Sequence, residues 1–575
     1  MDYKIERKMM ANFSSQYQNK QKNGLIYIIR FIAIFVIIFV GGFYIAKPYL
    51  DNFVKKEMAR HSIDVETSEV SIIGKVNLTN IILPTPKGIL LKIGSISARP
   101  PITFIPGTFK LYNIDLKYNN IHLQIPKISI DNVFLKERDI TIKSLILQLL
   151  MRLHITSVFA PDMFLFINSG NKSAEKINIK NFQISDFKNG RIRSIGIDNM
   201  ITNINLVLTS ANDAQEVRLI AKSDEMKAYN INIDYAHSII FGTSKTKKSK
   251  TVIGSITLDN IIVDIFGGSN KNTSFSLGKF KTSCLKMKPM ERSPEKLIKA
   301  YLNARETNNQ EDVKAVRNDA LLNSFSAITS IDVTINKAEI NMPQLKTKLE
   351  SFELRPSQWQ QSIPQKLLLS LNGFSILSKK MEKKDLDFLR KINFEDLNLS
   401  GKIDISYNEE ERTLLLNTIS FNMKDIGSGS ISAKIINIDK AFFSGQKDTM
   451  IIASQDFSVP EIDMNYKDTG FIDKFFSYLA QNFGDHDYNL KEELYDYFYL
   501  LVTKSLKILL KDHDEAENIS KSFGDFAKNP QTLKIKMRAK DNKGPTAIDF
   551  KNILQNDLSN ILNKMSLTVK NEASF

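Results

Sequence analysis

Beyond residue 46 the chain is written largely in alternation. Residues 75–83 (KVNLTNIIL), 111–116 (LYNIDL), 121–125 (IHLQI) and 127–130 (KISI) carry apolar side chains at every second position. Successive side chains of a strand point to opposite faces, so Val76 and Leu78 share one face and their polar neighbours the other, as in half-buried antiparallel strands. The same pattern returns at 331–335, 397–407, 413–423 and 429–436, with a polar turn of Asn408, Glu409, Glu410 and Glu411 between two of these segments. Such a series predicts a meander.

A weak internal repeat runs through the alternation: apolar, polar, apolar, any residue, Asn, apolar. It reads Val76-Asn-Leu-Thr-Asn80-Ile81, Ile177-Asn-Ile-Lys-Asn181-Phe182 and Ile256-Thr-Leu-Asp-Asn260-Ile261. Asn at a fixed offset suits a bulge or a strand-end turn, because its side chain bonds nearby backbone. The irregular spacing of the copies predicts an elongated sheet of similar hairpins instead of a strict solenoid.

Helical periodicity interrupts the strands in three places. One segment covers 144–153; a second opens at Ser293-Pro294, with Ser as cap and Pro at the first helical position, and runs with breaks toward Phe325. The third is a cluster over 469–481, 489–510 and 514–528, in which Leu494, Phe498, Leu501 and Val502 recur at helical spacing and Asn529-Pro530 ends the last helix. A final strand pair, 532–538 and 565–570, brackets a short helix near 549–562. The fold class expected is α+β: an N-terminal transmembrane helix, a mostly antiparallel curved sheet and a C-terminal helical cluster.

The membrane segment is residues 24–46, GLIYIIRFIAIFVIIFVGGFYIA, closed by Lys47-Pro48. A helix of about 20 residues crosses the hydrocarbon core. Leu25, Phe31, Phe35 and Phe39 would face lipid, Arg30 snorkels toward the head groups, and Tyr44 with Tyr27 sits at the interface. No A-x-A-like site follows, so the anchor is expected to persist. Lys4, Arg7, Lys8, Lys20 and Lys22 before the span are nearly matched by Lys47, Lys55, Lys56 and Arg60 after it. The signal-anchor design, with its short N-terminal tail, favours a cytoplasmic N-terminus and a translocated C-terminal bulk. The expected organisation is tail 1–23, span 24–46, β-rich domain 51–290, helical insertion 291–328, β-meander domain 329–460 and helical α+β region 461–575.

Composition changes this picture little. The chain has 575 residues, 42% hydrophobic and 25% charged, which describes a globular protein and excludes a disordered chain or a multi-span one. The net charge of +15 comes from scattered Lys without the dense basic and aromatic interleaving of a nucleic-acid surface. It reads either as attraction to anionic head groups or, preferably, as a solvated surface. Cys284 is the single cysteine, which rules out an intrachain disulfide and a cysteine metal cluster.

Catalytic signatures are absent. There is no phosphate-cradling Gly loop and no H-E-x-x-H, and 427–431 (GSGSI) lacks the last Gly of a nucleophile elbow, so its glycines mark a turn. Asp485-His486-Asp487 and Asp512-His513-Asp514-Glu515 have ligand and acid–base chemistry, but adjacent residues rarely converge on one ion, and both clusters fall at expected helix boundaries where acids favour the following helix. Trp359 falls in an expected loop, as an exposed partner anchor or, preferably, a core plug. Phe471, Phe475, Phe476 and Tyr478 on one helix read either as a lipid-facing stripe or, preferably for most of them, as a helix-bundle seam.

A single span followed at once by GKVNLTNIILP and FKLYNIDLKYNNIHLQIP resembles the AsmA-like proteins of Gram-negative inner membranes over residues 24–133. The segment 401–436, with Asn465-Tyr-Lys-Asp-Thr-Gly470 and Asn529-Pro530, resembles alphaproteobacterial envelope proteins without assigned biochemistry. The first resemblance implies a chorein-type lipid groove, a curved sheet whose apolar face shelters acyl chains in outer-membrane homeostasis. The long helical C-terminus departs from that pattern. The expectation is a single-pass inner-membrane protein, mostly periplasmic and non-enzymatic, needing no cofactor or metal. Its expected partners are membrane lipid and an envelope protein, not nucleic acid. The alternatives are a scaffold presenting its C-terminal helices, and a hydrolase whose carboxylates converge only in the fold.

Overall fold

The computed structural model describes residues 47–60, 63–71, 75–83, 89–99, 106–135, 153–167, 175–210, 213–244, 246–267, 272–306, 310–343, 345–360, 363–377, 396–444, 447–483, 490–511, 513–541, 543–556 and 559–572. The anchor residues Leu25, Arg30, Phe31, Phe35, Phe39 and Tyr44 lie outside these, as do Asp485, His486, Asp487 and Asp512. Among the described residues no helix is long and apolar enough to cross a membrane. The expected helix at 144–153 also lies outside them, except that Leu153 opens a strand.

The chain divides into two units, Met1–Ser274 and Phe275–Phe575. In the first, helix α1 (Lys47–Arg60) precedes strands β1 (Thr67–Val70), β2 (Val76–Leu83), β3 (Ile89–Arg99), β4 (Gly107–Tyr118), β5 (Ile121–Leu135), β6 (Leu153–Ile167) and β7 (Glu175–Lys188). Then come β8 (Arg191–Ile197), β9 (Asn199–Ser210), β10 (Asp213–Ser223), β11 (Glu225–Asn232), the short helix α2 (Ile233–Ile240) and β12 (Lys250–Gly267). β7 pairs along one half with β9 and along the other with β8, and β12 likewise with β10 and β11. β8 with β9, and β10 with β11, are therefore single long strands interrupted at Asp198 and Asp224, and the unit from β1 to β12 is an antiparallel meander.

The repeated Asn is what keeps this meander amphipathic. Asn80, Asn181 and Asn260 all have left-handed backbone, φ +48°, +53° and +49°. One such residue shifts the alternation by one place. In β2 the buried side chains are Val76 and Leu78 before Asn80, then Ile81 and Leu83 after it. An uninterrupted strand would have sent the last two to the opposite face. The pairing survives because the facing strand also spends one residue on the switch: Thr79 faces Ser95 and Ile81 faces Ile93, with Asn80 and Gly94 between them. These are in-register switches inside strands, neither of the two expected forms, a two-against-one bulge or a strand-end turn.

The same six-residue pattern recurs where it had not been recognised, at Asn113 (φ +53°), Asn132 (+54°) and Asn230 (+53°), and with Asp in place of Asn at Asp186 (+49°). Registers align the switches in two rows. One passes Asn80, Gly94, Asn113 and Pro126 in β2–β5 and, one place offset across β6, Asn181 and Asp198, then, one place offset again, Asp224 and Asn260; the other passes Asn132, Thr156, Asp186, Arg193, Asn230 and Gly254 in register. Asn is favoured because it tolerates left-handed backbone and its amide finds a carboxylate: Asn181 Nδ2 donates to Asp198 Oδ2 at 3.0 Å, Asn260 Nδ2 to Asp224 Oδ2 at 2.8 Å, and Asn80 to Glu66. Gly94 and Gly254 leave room for the facing Asn; a Cβ on Gly254 would stand 2.8 Å from that of Asn230.

The unit boundary falls inside β13 (Asn272–Met287), which leads to helices α3 (Pro294–Glu306) and α4 (Gln310–Ala327), where a single interrupted helix had been expected. The second unit continues with β14 (Ile328–Asn341), β15 (Lys346–Gln360), β16 (Ile363–Leu377), β17 (Asp396–Asn408), β18 (Thr413–Met423) and β19 (Gly427–Ile436). A 3-10 turn (Lys440–Phe443) and α5 (Lys447–Ser454) lead to β20 (Ser458–Asp468), followed by α6 (Phe471–Phe483), α7 (Leu490–Leu509) and α8 (Ala516–Lys528). β21 (Thr532–Ala539), α9 (Ala547–Asn556), α10 (Asn560–Lys564) and β22 (Met565–Glu572) complete it. From β14 to β22 each strand pairs antiparallel with the next. Left-handed switch residues return here as Cys284, Lys337, Gln358 and Gly373.

Local expectations fail at three points. Trp359 lies in β15 opposite Pro364, half-buried, with Nε1 donating to Pro356 O at 3.2 Å, so it is neither a loop anchor nor a plug. Residues 427–431 begin β19 instead of marking a turn; the Phe421 ring lies over Gly429, in the space a side chain would take. The helix expected near 549–562 is two helices. The C-terminal core forms where α8 lays Ala516, Ile519 and Phe526 against Leu533 of β21 and Val569 of β22. Gly524 of α8 meets Tyr499 and Thr503 of α7, and Phe476 of α6 is buried against Tyr495 and Phe498.

Asn181→Gly is expected to leave thermal stability nearly unchanged, whereas Asn181→Val should cost about 2 kcal/mol or more, since a β-branched residue resists positive φ. Gly254→Ala should cost about 1–3 kcal/mol through overpacking. Chemical unfolding of the three variants beside the wild type checks both.

Candidate functional site

Because the switches keep one face apolar, the first unit carries two continuous cross-strand ladders. One runs Val76, Ala98, Phe109, Ile130, Val158, Ile184, Ile195, Ala228, Ile256 across nine strands. The other runs Leu83, Leu91, Leu116, Leu123, Leu165, Ile177, Thr202, Ala221, Val263.

Cover over the ladders is uneven. Val54 and Met58 of α1 are buried with Val76, Leu78, Ile81, Ile93, Ile96 and Ala98 in one cluster at the β1–β4 end. Asp51 of α1 fixes that helix by accepting the Val70 N–H at 2.7 Å. At the far margin α2 lies against β8 and β12, where Tyr235, Ile239, Ile192 and Val252 are buried. Between these covers Ile177, Ile184, Ile195, Ala228, Ile256, Val263 and Ile265 are only half-buried. Full burial of an Ile or Val side chain stabilises by about 1.5–3 kcal/mol, so each of these leaves at most about a third of that uncollected. An apolar ligand laid along the face would collect it.

The opposite face of this sheet mixes polar residues with exposed apolar ones such as Ile82, Phe134 and Ile262, and carries two His–carboxylate pairs that the alternation did not suggest. His122 Nε2 stands 3.0 Å from Asp115 Oδ2, and His154 Nε2 stands 3.3 Å from Asp186 Oδ1. Burial pushes the Asp115 carboxyl up, but the His122 hydrogen bond and charge outweigh it and leave it below its ordinary value. These pairs form only when neighbouring strands come into register, so no local motif announces them.

The second unit holds an open cleft of about 890 Å³ lined by Arg412, Asp439, Ile452, Lys543, Asp549 and Lys564 among others. Its carboxylates are engaged in shaping the backbone. Asp439 caps the 3-10 turn by accepting the Ala441 N–H at 2.9 Å, and Asp541 accepts the N–H groups of Lys543 (3.0 Å) and Gly544 (2.8 Å). Thr546 and Asp549 form a reciprocal cap at the start of α9, with Thr546 N–H donating to Asp549 at 2.8 Å and Asp549 N–H to Thr546 Oγ1 at 3.2 Å. The Lys564 ammonium, 2.6 Å away, together with that cap pulls the Asp549 carboxyl down to about 2.

Of the acidic and His residues picked out from the sequence, His513, Asp514 and Glu515 lie between α7 and α8. Glu515 N–H donates to His513 Nδ1 at 3.4 Å, and Glu515 Oε2 accepts the Leu567 N–H at 3.4 Å, tying the turn to β22. Among the described residues no three His, Cys, Asp or Glu side chains converge as metal ligands. The 465–470 motif is a helix start: Asp468 accepts the N–H of Gly470 (2.8 Å) and of Ile472 (3.3 Å) at α6. Burial, with Asp468 beside it, pushes the Tyr466 hydroxyl up to about 12, and its ring packs on Phe526 of α8.

A family model described only as an uncharacterised protein matches residues 420–572, the part of the second unit from β18 to β22. No curated protein matches the chain.

Asp549 contributes stability through a depressed pKa, so its contribution is present above the ordinary Asp value near 3.8 and is lost as pH falls toward 2. The carboxylate is 27% exposed, and after screening Asp549→Asn is expected to cost about 1–2 kcal/mol at pH 7, with the deficit shrinking below pH 4. Unfolding midpoints of both proteins across that range measure it.

Proposed function

We propose that this chain is a membrane-anchored, non-enzymatic protein whose first unit shelters acyl chains or a similarly elongated apolar ligand on its apolar face, in support of cell-envelope upkeep. The observation that carries the reading is the pair of cross-strand ladders, covered by α1 at one margin and only partly buried away from it. In this reading the two rows of switch residues bend the sheet, since left-handed residues in strands locally turn and twist them, and the apolar side is the concave one. Residues 24–46 supply the span, with α1 following it directly, so the covered margin of the sheet is the one nearest the bilayer. The bulk then lies on the periplasmic side of an inner membrane. The resemblance to AsmA-like proteins over 24–133 supports the same reading, because it implies a groove of this kind.

A scaffold that presents its C-terminal helices is the second reading. It is favoured by the outward apolar side chains of α7, where Tyr497 and Ile508 are 66% and 76% exposed.

Native mass spectrometry with lipid extraction on the full chain in mild detergent, beside the 51–575 fragment, tests the first reading. Stoichiometric lipid is expected on both, falling at least several-fold in Ile195→Glu/Ile256→Glu, while Ile82→Glu on the outward face of β2 retains it. Ligand-free wild type, or equal loss in all variants, would overturn the acyl-chain reading.

A further inference from the structure

Helix α7 turns one apolar stripe inward and another outward. Tyr495, Tyr499, Thr503 and Leu506 face α6 and α8, as the ring contact of Tyr495 with Phe476 and the approach of Tyr499 and Thr503 to Gly524 require. Successive residues are about 100° apart on a helix, so Glu493, Tyr497, Leu501, Lys504 and Ile508 share the opposite face with Leu490. The first five are exposed, Ile508 to 76%. Of the residues at helical spacing in the sequence, Leu494, Phe498, Leu501 and Val502, Leu501 is 45% exposed.

The stripe has a polarity along its length. Glu493 stands in its N-terminal half and Lys504 in its C-terminal half; Asp496 and Lys507 lie off the stripe and pair within the chain, with Lys528 and Glu517. We propose that α7 is a self-association surface, pairing antiparallel with α7 of a second copy about a two-fold axis that crosses the outward stripe between Tyr497 and Leu501. That register sets Leu490 against Ile508 of the second copy, Tyr497 against its Leu501, and Glu493 against its Lys504, and the two-fold repeats every contact. A parallel pairing would bring acid to acid and base to base, so the charges select the antiparallel one. A lipid surface fits the stripe less well, because its acidic half would meet anionic head groups. Isologous contacts need such a self-complementary patch. One helix pair is smaller than the roughly 800 Å² per partner of a standard interface, so the dimer is expected in the micromolar range. This inference is independent of what the first unit binds.

The experiment is sedimentation of the full chain in mild detergent at concentrations up to about 100 µM, far enough to populate a contact of this size. The wild type is expected to show a monomer–dimer equilibrium. Glu493→Lys and Lys504→Glu should each weaken it about tenfold, since each turns two attractive contacts repulsive, and the Glu493→Lys/Lys504→Glu double swap should restore it. Both sites of substitution are solvent-facing, and circular dichroism checks that the helices persist. A monomer at every concentration would overturn the proposal, leaving the stripe to a different protein. So would a dimer indifferent to the swaps, which would place the contact elsewhere, or a double swap that fails to rescue.

Discussion

A single left-handed residue inside a strand is the constraint on which the sheet depends. A long strand that alternates strictly keeps one face apolar only while the chain runs straight; any turn of the backbone by one place reverses the two faces. Here Asn80, Asn113, Asn132, Asn181, Asn230 and Asn260 take that turn, and the sequence shifts its apolar positions by one at the same point. Left-handed backbone costs about 1–2 kcal/mol for most residues and less for Asn. Facing glycines and carboxylate partners lower it further, at Gly94 and Gly254 and at Asp198 and Asp224. The return is that Ile256 in β12 shares a face with Val76 in β2, nine strands along one ladder.

Cover decides where this face becomes core and where it stays a surface. α1 converts the β1–β4 end into a closed cluster. The second unit uses α8 in the same way, on β21 and β22. Sheet faces that have a helix above them are buried to a few per cent, and those without one among the described residues are half-open. The difference lies in the layer more than in the strands, because the first ladder still carries Ile184, Ile195 and Ile256 far from α1, although the second passes through Thr202 and Ala221.

Charge in this protein mostly does structural work. Arg538 holds Asp463 through two hydrogen bonds of 2.9 Å and pairs with Glu461 at 2.7 Å, joining β20 to β21. Asp549, Asp541, Asp439 and Asp468 each end or begin a helix or turn by accepting backbone N–H groups. Backbone donors left over at helix starts are the strongest local demand for a carboxylate. The acidic motifs that stand out in the sequence meet that demand.

The strands, their antiparallel meander and the helices α6, α7 and α8 were legible in the sequence, because hydrophobic period is a local property that each segment carries alone. So was the Asn motif, though only in three of its copies; Asn113, Asn132 and Asn230 passed unread because alternation on either side looked continuous. Tertiary structure alone decided the alignment of the switches into rows, since a register relates residues far apart in the chain. It also decided the His122–Asp115 and His154–Asp186 pairs, the placement of Trp359 in β15, and the outward turn of Leu501. A helix with two apolar stripes does not say which one its neighbours will take; that choice belongs to Gly524 and Phe476 on the helices beside it.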